Sequence, residues 1–218
     1  MNITINSLAH SLFAIGPMTV TPYTLCEGLF AAFGLAIFIL KIRDENVTKV
    51  QKTWADSAYL ILLITSFALV FLGGYQVPGL SYRLFPTFGY YGTVIAAIGL
   101  SFATWGRLIL GKFWTGPVCI VEGHRLQIAG PYRITRHPMY SGLLIGLVGT
   151  ALTQGEVRSV LAVALITVAF RYRITNEEKM LTEYFGAEYK RYQTETACLL
   201  PGFKLLVAST GTKHASVS

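Results

Sequence analysis

Two histidines, two tyrosines and three arginines crowd one short part of the chain. They fall in His124-Arg125-Leu126-Gln127, in Gly130-Pro131-Tyr132-Arg133 and in Arg136-His137-Pro138-Met139-Tyr140-Ser141-Gly142. Gly130-Pro131 is a turn signal. Pro138 turns His137 away from the α conformation and suits the first turn of a following helix. His137 and Tyr140 therefore sit at a helix N-terminus, where unpaired N–H groups and partial positive charge favour an anionic group. Each residue alone has an ordinary use. His124 can be a hydrogen-bonded surface histidine, Arg133 and Arg136 headgroup cations, and Tyr132 and Tyr140 interfacial aromatics. Their concentration is what suggests a site.

A second group follows. Arg173 and Glu177 are four residues apart and share a helix face, and Glu178 comes next. An arginine at the lipid boundary can hold a carboxylate or phosphate through both guanidinium edges. A carboxylate one turn further on can take a cation or ribose hydroxyls. The same spacing also describes an ordinary exposed ion pair contributing ~0.3–0.5 kcal/mol, and the residues alone leave both readings open.

Several chemistries lack their residues. His124 and His137 could join Glu177 or Glu178 around a metal, but there is no HxxxH or HExxH spacing, so no metal is expected. Ser141-Gly142 lacks the GxSxG elbow of a serine hydrolase. Neither a phosphate-cradling Walker A loop nor GxGxxG occurs. Cys26, Cys119 and Cys198 have no CxxC pairing and form no disulfide or zinc pattern.

The elements that must position these residues are apolar. Of 218 residues, 53% are hydrophobic and 13% charged, against roughly 25% charged in a soluble domain. A formal net charge of +7 on so apolar a chain fits a basic membrane protein better than a nucleic-acid binder, which needs an exposed basic face. A membrane helix takes ~20 mostly apolar residues. Tyr23–Leu40, Trp54–Gly74 and Thr87–Leu110 meet that length or come close. Tyr140–Leu152 and Val157–Phe170 are shorter and read as a tight hairpin whose helices extend at their inner ends. Residues 1–22 contain no Lys or Arg, so the first stretch reads as a span and not as a signal peptide. The segment Arg171–Pro201 reads as a helical region, with apolar and aromatic residues at three- and four-residue steps around Gly186.

Every Lys and Arg except Arg83 and Arg158 falls on alternate links, at the end of the third span (Arg107) or after the fifth. The positive-inside rule then places the N-terminus outside and the C-terminus in the cytoplasm. Both motif groups lie on the cytoplasmic side. Glu27 is expected near the outer interface, where an ionisable group costs little, and Asp56 near the start of the second span.

These residues carry a resemblance. His124-x-Leu126, Gly130-Pro131-Tyr132 and Arg136-His137-Pro138-x-Tyr140-x-Gly142 form one block. Arg173-x-x-x-Glu177-Glu178-x-x-Leu181-x-x-x-Phe185-Gly186-x-x-Tyr189-x-x-Tyr192, followed by Leu200-Pro201, forms the other. Together, over about Trp114–Pro201, they resemble the isoprenylcysteine carboxyl methyltransferase family in its short prokaryotic form, and much of the pattern is shared with phosphatidylethanolamine N-methyltransferases. The resemblance implies an all-α, polytopic integral membrane protein with about five transmembrane helices. Residues 1–113 would hold the first three spans and the substrate tunnel, residues 114–203 the cofactor-binding core, and residues 204–218 a disordered tail. It implies S-adenosyl-L-methionine as cofactor, bound by His124, Arg125, Leu126, Gln127, Tyr132, His137, Pro138, Met139, Tyr140 and Glu177. It implies that Arg173 faces the carboxylate of a lipid-embedded, prenylated cysteine. No metal, nucleic acid or obligate protein partner is implied.

Three other classes compete. A phospholipid amine is the alternative methyl acceptor. Sterol reductases share part of the C-terminal pattern and use NADPH, although Pro138 and the Glu177-Glu178 pair favour methyl transfer. A non-catalytic scaffold would bind no cofactor.

Overall fold

The computed structural model describes residues 20–43, 54–71, 79–85, 87–114 and 123–199. Lys49, Lys52, Cys119, Leu200, Pro201, the 204–218 tail and the side chains of Arg43 and Asp56 lie outside what is described. The helices are α1 (Pro22–Arg43), α2 (Trp54–Phe71), α3 (Gly89–Leu110), α4 (Pro138–Gln154), α5 (Val157–Phe185) and α6 (Ala187–Glu195). Short 3-10 turns cover Gly111–Phe113 and Gly130–Arg133. Among the described residues there are no strands, only isolated bridges at Arg83–Glu156 and Thr135–Ala197.

Long apolar segments become helices because a helix satisfies its own backbone polar groups. Pro22–Lys41 and Gly89–Phe113 are long and apolar enough to cross a membrane, with mean hydropathies of 1.9 and 1.6, and α2 contributes the shorter apolar stretch Ser57–Phe71. Helix α4 starts at Pro138 with His137 just outside it, as the Pro138 signal predicts. Helices α4 and α5 are joined by a tight turn at Gly155, whose φ is 68°. A Cβ there would lie 2.5 Å from the Phe85 carbonyl oxygen, so the turn requires glycine twice over. One difference from the sequence reading concerns α5. The fifth apolar stretch and the Arg173–Glu177 segment are a single 29-residue helix, with no Pro or Gly to stop it before Gly186. Arg173 and Glu177 are thus fixed rigidly to the bundle.

Helices α3 and α4 run antiparallel at very short range. Gly92, Ala96, Gly99, Ala103 and Gly106 face Gly149, Gly146, Gly142 and Pro138. A Cβ on Gly99 would lie 2.6 Å from the Gly142 carbonyl oxygen, and one on Gly149 2.5 Å from the Gly92 oxygen. Small residues let membrane helices approach this closely, so packing and weak Cα–H···O contacts replace the hydrophobic drive. The larger apolar side chains lie elsewhere. Phe30, Leu100, Leu147, Ile166 and Phe170 form the interior, while Leu35, Ile64, Tyr91 and Val168 are exposed on its outside. Gly99→Val should therefore lower the melting temperature of the detergent-solubilised protein sharply. Overpacking typically costs about 1–3 kcal/mol, and backbone faces backbone here. An unchanged melting temperature would contradict this packing.

Candidate active site

Residues of α2, α3, α4 and α5, with α6 and the 123–137 segment, surround one cavity at one end of the bundle. The segment entering α4 is tied to the end of the α6 region. Tyr192 donates its O–H to the Tyr132 carbonyl at 2.6 Å. The Thr135 hydroxyl donates to the Cys198 carbonyl at 2.8 Å, and the Arg136 N–H to the Ala197 carbonyl at 2.8 Å. The fold thus brings the two motif groups, about 40 residues apart in sequence, to one face.

Glu177 stands at the centre of the polar wall. Its Oε1 accepts from the Tyr140 O–H at 2.6 Å and from Arg173 Nε at 3.3 Å. Its Oε2 lies 3.6 Å from His137 Nδ1. The Arg173 guanidinium is 4% exposed as a residue and lies 5.0 Å from the centre of the Tyr59 ring, a cation–π distance. Its pairing with Glu177 is therefore not the exposed ion pair that the spacing alone allowed.

Glu178 has a different set of partners. Its Oε1 is 2.8 Å from Arg136 Nε and 3.2 Å from His137 Nε2, and its Oε2 accepts from Gln193 Nε2 at 3.2 Å. Arg136 also donates to the carbonyls of Gln193, at 3.0 Å, and of Thr196. Burial works to raise the Glu178 carboxyl, but the hydrogen bonds and charges of His137 and Arg136 outweigh it and hold it at about 2. A carboxyl whose folded value lies below its ordinary 4.5 contributes stability that is present in full above that value. The contribution is lost as pH falls towards about 2. An acid titration of thermal stability should show this loss between those limits, and Glu178→Gln should flatten it. An unchanged acid limb in that variant would contradict the assignment. His137, Glu178 and Cys198 hold metal-capable atoms within 4.8 Å of one another, yet Arg136 already supplies the positive charge at Glu178.

The apolar wall includes Leu110, Phe113, Trp114, Leu126, Leu143, Met180 and Leu181. His124 stacks on Phe113 at 5.1 Å and meets the edge of Phe185 at 5.7 Å. Burial pushes its imidazole below its ordinary value. Gln127 anchors the segment by donating to the Ile109 carbonyl at 3.1 Å.

Among the residues expected at the site, His124, Leu126, Gln127, Tyr132, His137, Pro138, Met139, Tyr140, Arg173 and Glu177 line this cavity. Arg125 does not; it is exposed. His124 and Leu126, on either side of it, are half-buried against the cavity. Sequence reasoning missed Tyr59, from a half of the chain without a motif, and assigned Arg136 and Glu178 no contact with cofactor or substrate. Arg136 carried a signal in its position one residue before His137-Pro138. Tyr59 carried none beyond being an aromatic in an apolar helix.

Residues 88–188 match the phospholipid methyltransferase family. Over 115 residues the chain is 35% identical to a probable protein-S-isoprenylcysteine O-methyltransferase of Oryza sativa subsp. indica, covering 51% of this chain and 60% of that protein. Over 72 residues it is 42% identical to protein-S-isoprenylcysteine O-methyltransferase B of Arabidopsis thaliana, covering 33% and 36% respectively. Over 75 residues it is 39% identical to a methanethiol S-methyltransferase of Pseudomonas deceptionensis, covering 34% and 27%. In each case the chain spans 60% or less of the curated relative it matches. These similarities bear out the family resemblance read from the two motif blocks.

Proposed function

From a chain that carries the phospholipid methyltransferase pattern over residues 88–188 and is related to protein-S-isoprenylcysteine O-methyltransferases, we propose an integral membrane methyltransferase. It uses S-adenosyl-L-methionine and methylates the carboxylate of a lipid-embedded, prenylated cysteine at the cytoplasmic interface. Five spans cross the bilayer, with the N-terminus outside and the C-terminus in the cytoplasm. Helices α1 and α3 and the apolar stretch of α2 support this arrangement, as do the outward apolar side chains of α4 and α5.

The observation that carries the reading is the meeting of Arg173 and Glu177 with His137, Tyr132 and Tyr140 at one cavity. The residues present fit the cofactor's chemical groups. Glu177 offers a carboxylate to a cation or to hydroxyls, and the rings of Tyr132, Tyr140 and Phe113 offer faces for stacking or cation–π contact. When bound, S-adenosylmethionine supplies a methyl group activated on a sulfonium. The protein's work is orientation and exclusion of water, because the transfer needs alignment more than a protein nucleophile. Arg173, held by Glu177 and Tyr59, orients the ionised acceptor carboxylate. The apolar wall keeps water from that oxygen and preserves its nucleophilicity. A carboxylate acceptor needs no general base. An amine acceptor needs a proton removed.

The test is a screen with labelled methyl donor, using prenylcysteine analogues beside amine phospholipids. A base-labile methyl ester on the prenylcysteine is the expected product. Label in phospholipid alone would transfer the reading to the amine alternative, and binding of NADPH with no binding of S-adenosylhomocysteine would overturn both.

A further inference from the structure

Tyr189 is 1% exposed, and it lines the cavity from α6. Its hydroxyl is buried with no hydrogen-bond partner among the described residues. The neighbouring phenols differ. Tyr192 donates to the Tyr132 carbonyl at 2.6 Å, and Tyr140 to Glu177 at 2.6 Å. Buried tyrosine hydroxyls ordinarily find a partner, and leaving one unpaired costs free energy. The carboxylate of Glu178 accepts from Arg136, His137 and Gln193 and not from Tyr189. His124 shows the same condition on the same cavity, its buried Nδ1 having no partner among the described residues. Both orphaned atoms belong to residues that line this cavity, where a polar ligand can supply the missing partner.

We infer that the Tyr189 hydroxyl is a hydrogen-bond donor to an acceptor oxygen of the S-adenosyl cofactor, making Tyr189 a binding residue just beyond the matched segment 88–188. The inference rests on the methyltransferase reading. It gives α6 a direct part in binding, beyond bracing the segment that enters α4.

The test uses full-length protein in lipid nanodiscs, S-adenosylhomocysteine as the probe, and Tyr189→Phe beside Tyr192→Phe. Tyr189→Phe should raise the Kd about five- to tenfold, the effect of one lost hydrogen bond. It should leave the melting temperature of the ligand-free protein unchanged or higher, because only an unpaired buried hydroxyl is removed. Tyr192→Phe should lower that melting temperature. An unchanged Kd in Tyr189→Phe would overturn the inference, as would a loss of ligand-free stability, which would reveal a protein partner for the hydroxyl. Wild-type protein that binds no S-adenosylhomocysteine would overturn the methyltransferase reading itself, a result separate from either.

Discussion

Arg173→Ala is expected to reduce methylation of a prenylcysteine analogue by about 10²-fold, the effect of losing the group that orients the reacting carboxylate. The fold should survive the change. Without Arg173, Glu177 still accepts from Tyr140 at 2.6 Å and lies 3.6 Å from His137, so its carboxylate is not left buried and alone. Binding of S-adenosylhomocysteine should therefore change little, which separates loss of acceptor orientation from loss of the site. Arg173→Lys should recover only a small part of the activity. An ammonium cannot present two parallel donors to a carboxylate, and it loses the planar contact with the Tyr59 ring at 5.0 Å. A steady-state comparison of the three proteins decides the matter. Full activity in Arg173→Ala would remove the carboxylate role from this arginine and with it the main support for a carboxyl acceptor.

What the sequence revealed of this site depends on how local each signal is. Pro138 acts within one turn, so it fixed the start of α4 and the placing of His137 and Tyr140. Arg173 and Glu177 are neighbours on one helix, and any helix there would have paired them. Tyr59 reaches the site only because α2 packs on α5, a contact over more than a hundred residues of chain that no pattern in α2 announces. Arg136 read as a headgroup cation because its partners, Glu178, Gln193 and Thr196, are supplied by α5 and by the α6 region. Arg125 reads with its neighbours as one unbroken run, yet it is the member of that run that is exposed and off the cavity lining.

Glu177 and Glu178 are adjacent and chemically identical, yet their substitution should have opposite consequences. Glu177→Gln keeps an acceptor for the Tyr140 hydroxyl but removes the negative charge at the cavity wall. A hydrogen bond to a charged group contributes ~1.5–3 kcal/mol, so its loss should weaken S-adenosylhomocysteine binding by about ten- to a hundredfold. Stability should fall by less than the ~3–5 kcal/mol of a buried pair broken on one side, because Arg173 retains Tyr59 and the substituted side chain's carbonyl. Glu178→Gln removes the charge that balances Arg136, and that faces His137 Nε2, between α5 and the start of α4. Breaking a buried pair on one side costs ~3–5 kcal/mol at most. The backbone acceptors of Arg136 at Gln193 and Thr196 should reduce this, and the remainder should show as a lower melting temperature of the ligand-free protein. Its effect on binding should be the smaller of the two and should shrink on cooling, as folded protein is recovered. Calorimetric titration and thermal melts of both variants, done side by side, give the comparison. If Glu177→Gln loses stability and keeps its affinity, the acid that meets the cofactor is not Glu177, and the cavity wall must be read with Glu178 in that place.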